Sequence, residues 1–227
     1  MATLFSDAFN RANNVSLGAD WTERGGTSNI DIVTNRAEAI TLTGSFIGIA
    51  HTATWGVADY TVQVIVNTPA GNTFYGTAGR RVNQSTDDSD CYAAFVNETN
   101  DTLTLYKRIA GSYTNLGSFA VTIAASTDYT VKLSMQGITI KAFLDGTERI
   151  SVTDASLSAN GDSAITTGTS GVVGGRFDDF LVEDFAAPAA GHPTMRRWGG
   201  IPGMRPGAQG GGIGGGPWGL NDLKEAA

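Results

Sequence analysis

The chain has 227 residues, 41% of them hydrophobic and 16% charged, with a formal net charge of -7. That size and balance suit one large globular domain with an appendage. The charge is uneven, 11 Lys/Arg against 20 Asp/Glu over residues 1–187 and 4 against 2 over residues 188–227. An acidic body argues against nucleic-acid binding by the body, which would need clustered basic residues, and no window approaches the run of about 18 apolar residues that a membrane helix needs.

At the start, "MATLFSDAFNR" has neither a basic segment nor an apolar run of signal-peptide length, so the protein is expected to be made in a cytoplasm without a signal peptide. From there the hydrophobic period is two. Strand candidates in chain order are "DIVTNRAEAI" (31–40), "FIGIAHTAT" (46–54), "DYTVQVIVN" (59–67), "TAGRRVN" (77–83), "CYAAFVNE" (91–98) and "LTLYKRI" (103–109). In the third of these, Tyr60, Val62, Val64 and Val66 share one face and Thr61 and Gln63 the other, the signature of a half-buried strand. "DYTVKLSM" (128–135) repeats it, with Tyr129, Val131, Leu133 and Met135 on one face. Gln136-Gly137 then reads as a two-residue turn into a strand carrying Ile138, Ile140, Ala142 and Leu144, and Asp145-Gly146 as a second turn into "TERISV". "RFDDFLVEDF" (176–185) closes the series. About a dozen short strands without a helix-period stretch predict an all-β, antiparallel sandwich over residues 1–187. Cys91 is the sole cysteine, so no internal disulfide and no cysteine-rich zinc site exists; its setting reads as a small apolar strand position.

Residues 188–227 hold 12 glycines and 5 of the 6 prolines. Such a segment cannot bury enough apolar area to offset the entropy of ordering it alone. It is expected to be an extended Gly/Pro-rich C-terminal arm that docks on a partner through its few large side chains: Met195, Arg196, Arg197, Trp198, Ile201, Met204, Trp218 and Leu220.

Three stretches carry a resemblance. "DAFNRANNVSLGADWTERGG", "DYTVKLSMQGITIKAFLDGTERISVTD" and "GGRFDDFLVEDF" resemble the concanavalin A-like, or laminin G-like, jelly roll common in bacterial and phage proteins, over about residues 3–186. That family includes lectins, glycanases and purely structural modules, so the resemblance implies a fold rather than a function. Its retaining glucanases carry a Glu-x-Asp-x-x-Glu strand, which this chain lacks; the acidic groups around Asp87, Asp88 and Asp90, and around Glu98 and Asp101, read as solvated turns. The protein is therefore expected not to be an enzyme. The resemblance also implies that first and last strands lie side by side, where calcium often joins them. Asp7 with Asp178 or Asp179 would be the ligands; the alternative is that these residues cap strand ends and pair with Arg11 or Arg176. No other cofactor is expected. Sugar contacts, if present, would come from Trp21, Trp55, Tyr75, Tyr92 or Tyr113, with Trp21 packed inside.

Because the opening motif resembles phage virion proteins and Gly-rich arms recur on compact sandwiches in virus particles, the first reading is a non-enzymatic bacteriophage structural protein. It would be a capsid decoration (cement) protein or a head or tail appendage, located in the virion, with the major capsid protein and other virion proteins as partners and self-association left open. The second reading is a lectin-like carbohydrate-binding module with a glycan as partner; the third is a glycan-cleaving enzyme. Neither nucleic acid nor a membrane is an expected partner.

Overall fold

The computed structural model describes residues 1–24, 29–41, 46–51, 54–71, 74–82, 90–168 and 173–185, all within the unit Met1–Ala187. The docking residues named above, Met195 to Leu220, lie outside the described residues. Among the described residues every regular element is a strand, and none is a helix long and apolar enough to cross a membrane.

In chain order the strands are β1 (Thr3–Asp7), β2 (Trp21–Arg24), β3 (Asn29–Val33), β4 (Arg36–Thr41), β5 (Phe46–His51), β6 (Tyr60–Asn67), β7 (Tyr75–Val82) and β8 (Asp90–Asn97). They continue as β9 (Thr102–Ile109), β10 (Ser112–Ala120), β11 (Asp128–Gln136), β12 (Thr139–Leu144), β13 (Thr147–Thr153), β14 (Asp162–Gly168) and β15 (Arg176–Asp184). An eight-stranded sheet runs β13-β12-β11-β6-β15-β4-β3, with β1 paired to β15 beside it, and a seven-stranded sheet runs β10-β9-β8-β7-β14-β5-β2. All pairings are antiparallel, so the expected jelly-roll sandwich is the fold.

The period-two stripes meet in the core between the sheets. Val62, Val64, Val66, Val131, Leu133, Met135, Ile140 and Ala142 from one sheet and Tyr92, Ala94, Val96, Leu103 and Leu105 from the other have no exposed surface. At the start of the chain Phe5, Phe9, Trp21 and Phe180 pack edge-on or tilted at 5.1 to 6.1 Å between ring centres, fastening β1 onto β15 in the register Asp7 to Phe180.

Two expectations about turns are corrected. "DIVTNRAEAI" is not one strand but the β3–β4 hairpin, with Thr34 at φ 50 and Asn35 at φ 62 in its two-residue turn. After β11, Gln136 still pairs with Thr139, so the turn is Gly137-Ile138 and not Gln136-Gly137; Gly137 takes φ 54, and Ile138 is 50% exposed at the tip instead of beginning the strand. The Asp145-Gly146 turn stands as expected, with φ 48 and 77, the geometry whose twist matches the flanking strands.

Candidate functional site

The outer face of the seven-stranded sheet is set by strand parity. Tyr92, Ala94 and Val96 point into the sandwich, so Cys91, Ala93 and Phe95 point out, in a separate buried cluster with Ala78 and Ala164. Pairing carries that row across the sheet: Ala93 stands opposite both Ala78 and Tyr106, Cys91 opposite Arg108, and Arg108 opposite Tyr113. The middle of this face is thus floored by small residues. Toward β10 an aromatic ridge rises from it: Phe95, 2% exposed, meets Phe74 and Tyr106 at 5.7 and 6.2 Å, and Tyr106 meets Tyr113 at 6.2 Å. The T-shaped contacts of Phe74 with Phe95 and of Tyr106 with Tyr113 match the ring quadrupoles. Phe74 and Tyr106 are half-buried, and Tyr113 is 39% exposed, with the Arg108 guanidinium 5.2 Å from its ring centre. Asn115, opposite Tyr106 on β10, adds an exposed amide.

Charges at the other end of the face are internal. Arg81 and Asp162, at 3% and 1% exposure, form an ion pair at 3.2 Å. Burial, opposed by the nearby charges of Arg81 and Arg108, pushes the Cys91 thiol up to about 12. Cys91 is therefore the packed strand residue its sequence setting predicts, not a reactive thiol.

Of the five aromatics singled out in the sequence, Tyr75 and Tyr92 are buried with Trp21, Trp55 is half-buried and donates its indole N–H to Ser163 Oγ at 2.9 Å, and Tyr113 is the most exposed. Sequence reasoning missed Tyr106 and Phe74. The signal for Tyr106 was present: with Leu103 and Leu105 facing the core, parity places it on the opposite face.

The acidic groups hold turns together. Asp90 accepts from the Ala110 N–H, Glu98 from the Gly71 N–H and Asp101 from the Ile123 N–H, at 2.7 to 2.9 Å; Asp87 and Asp88 lie outside the described residues. Asp7 accepts from both terminal nitrogens of Arg11 at 2.7 and 3.0 Å, from the Phe9 N–H and from the Trp21 indole at 2.8 Å. Burial alone would raise its pKa, but these donors outweigh it and hold the carboxyl below the ordinary range. Asp178 lies 3.1 Å from the Arg36 Nε, and Arg36 also makes a two-pronged bond to Asp128. Burial pushes Asp178 upward despite that cation. Arg176 pairs with Glu38 at 2.8 Å, not with either Asp. Asp178 and Asp179 do share a polar recess of about 280 Å³ with Asn10, Asn35 and Arg36. Asp7 and Asp178 are thus each engaged by a guanidinium, and among the described residues no group of three His, Cys, Asp or Glu is placed for a metal.

No protein-family model matches the chain, and no curated protein matches it in sequence. Solved structures do match in shape. A carbohydrate-binding module, CBM66 from Bacillus subtilis, superposes with a TM-score of 0.63 at 18% identity, covering 75% of this chain and 99% of that one. The body shares its jelly-roll fold with that module. A galectin-like protein of unknown function from Bacillus subtilis also gives 0.63, at 12% identity and 81% and 96% coverage. The Bacillus licheniformis β-glucanase gives 0.59 at 13% identity, with 82% and 99% covered. At these identities the jelly roll shares architecture with its neighbours, and its function has to be argued from its own surface.

Proposed function

We propose that the jelly roll is a non-enzymatic, lectin-like carbohydrate-binding module that holds a glycan on the outer face of its seven-stranded sheet. The observation that carries this reading is the aromatic ridge ending in the 39% exposed Tyr113. A sugar presents an apolar C–H face to a ring and hydroxyls to amides, and Tyr113, with the exposed Asn115 amide beside it, supplies that combination. The likeness to a carbohydrate-binding module supports glycan binding better than it supports a role in a virus particle, for which no neighbour named above speaks.

A glycosidase needs two carboxyl groups, about 5–5.5 Å apart for retention or roughly 6.5–9.5 Å apart for inversion. On this face Asp162 is paired with Arg81, which supports binding without cleavage. The test is a glycan array followed by affinity electrophoresis in the best polysaccharide. Tyr113→Ala should weaken retention about tenfold, the equivalent of about 1.4 kcal/mol, without changing the melting temperature. If no glycan retains the wild type, or the variant migrates like it, the reading is wrong.

A further inference from the structure

The outer face of the eight-stranded sheet carries a separate recess of about 320 Å³, at the lower end of the usual range for ligand sites. Its floor is Thr61 and Ser134, cross-strand partners on β6 and β11, 2% and 8% exposed. Lys132 and Phe143, partners on β11 and β12, form one wall, and Phe185, just beyond β15, contributes a second ring. Gln136 adds an exposed amide.

The charges around this recess differ from those elsewhere on the domain. Lys141, which also lines it, is engaged with Glu148 at 2.8 Å. Lys132 makes no ion pair among the described residues, and neither Thr61 nor Ser134 uses its hydroxyl in a hydrogen bond among them. Glu183 stands opposite Thr61 on β15 but does not line the recess. On a chain with a net charge of -7, an anion is held only where a cation is local, and here Lys132 lines the recess together with two small hydroxyls and two aromatic rings.

We propose that this recess is a second glycan site, distinct from the Tyr113 ridge, and that it takes a carboxylated sugar of the hexuronic acid type. Lys132 pairs with the carboxylate, Thr61, Ser134 and Gln136 exchange hydrogen bonds with the ring hydroxyls, and Phe143 and Phe185 cover the apolar C–H face. The Lys132 side chain favours an anionic ligand over a lipid chain, and the two rings favour a sugar over a bare anion. The inference does not depend on the ridge binding a neutral glycan.

Isothermal titration of the full chain with trigalacturonate, and with maltotriose as a neutral control, tests it. Trigalacturonate should bind and maltotriose should not enter this site. Lys132→Gln should weaken trigalacturonate at least about tenfold through loss of one charge-assisted bond, Lys132→Arg should restore most of it, and Phe143→Ala should weaken it as well. Tyr113→Ala should leave it unchanged, which separates this site from the ridge. The proposal is overturned if trigalacturonate gives no binding heat at millimolar concentration, if Lys132→Gln binds like the wild type, or if Tyr113→Ala removes the binding. Displacement by inorganic phosphate or by a polyglutamate peptide at equal affinity would also overturn it, because the site would then read charge without reading a sugar.

Discussion

Arg80 is 1% exposed, and its guanidinium does the work of a hub. It donates to the Ala58, Gly137 and Leu157 carbonyls at 2.8 to 2.9 Å and to Asp59 at 3.0 Å. Its backbone N–H donates to the buried Tyr60 hydroxyl, which in turn donates to the Asp162 carbonyl at 2.9 Å. Arg80→Met keeps the length but leaves three carbonyls without their donor, at about 1–3 kcal/mol for each unsatisfied group. Urea unfolding should show a loss of at least about 3 kcal/mol with an unchanged slope. The acid limb of stability also resides in single carboxyls. Burial would raise Asp154, but bonds from Lys107 at 2.6 Å, from Tyr92 at 2.6 Å and from Ser156 hold it well below the usual 3.8, while Asp128 is lowered chiefly by its bond to Arg36. A carboxyl depressed on folding contributes stability that is complete above its unfolded value and is lost as pH falls through its folded value. Asp7, Asp128 and Asp154 act in that direction, and the raised Asp178 opposes them. The melting temperature should therefore fall as pH drops below about 4, and Asp154→Asn should melt lower at pH 7 while showing a smaller drop between pH 7 and pH 3.

Among elements, the β3–β4 hairpin shows why a strand pair can hide in one hydrophobic run. Thr34, at φ 50, is β-branched in the left-handed region and Asn35 follows at φ 62. The turn lacks the glycine that marks such geometry, so "DIVTNRAEAI" passes for a single strand. The strain at Thr34 costs about 1–2 kcal/mol. Thr34→Asn, a residue that tolerates this region and keeps the N–H bonded to Asn13, should raise stability by about 0.5–1 kcal/mol in chemical denaturation. Of the other strands absent from the candidates, two escaped for opposite reasons. β14 lies in the middle of its sheet with Asp162 to Thr167 all buried, so its "DSAITT" has no polar face to alternate with. β10 is an edge strand that is mostly exposed, so its apolar side chains are too sparse to mark a stripe. By contrast β6, β11 and β12 were legible because each has one face on the core and one face out.

At the scale of the molecule, the first strand is held by the last. β1 pairs with β15, Asp184 accepts from the Ala2 N–H at 2.7 Å, and the rings of Phe5, Trp21 and Phe180 close the seam. Every described strand falls between Thr3 and Asp184, so a protein cut after Ala187 should still melt cooperatively, by calorimetry, within a few degrees of the full chain. An aggregated or molten product would show that residues 188–227 are needed for the fold. Since Asp7 is taken by Arg11 and Trp21, the same melting curve should not move between chelator and millimolar calcium; a rise with calcium would place a cation on the native state by mass action.

What the amino-acid order determined by itself is local: alternation of period two, the Asp145-Gly146 turn, the single packed cysteine and the sandwich class all follow from neighbours within a few residues. Tertiary structure alone decided which side chains meet. The Tyr113 ridge needs β8, β9 and β10 in register, and the Lys132 recess needs β6, β11 and β12 side by side with Phe185 from the end of the body. The physical reason is that parity assigns a residue to a face of its own strand, while the partner across the sheet is set by long-range hydrogen bonding and core packing, which no local window contains.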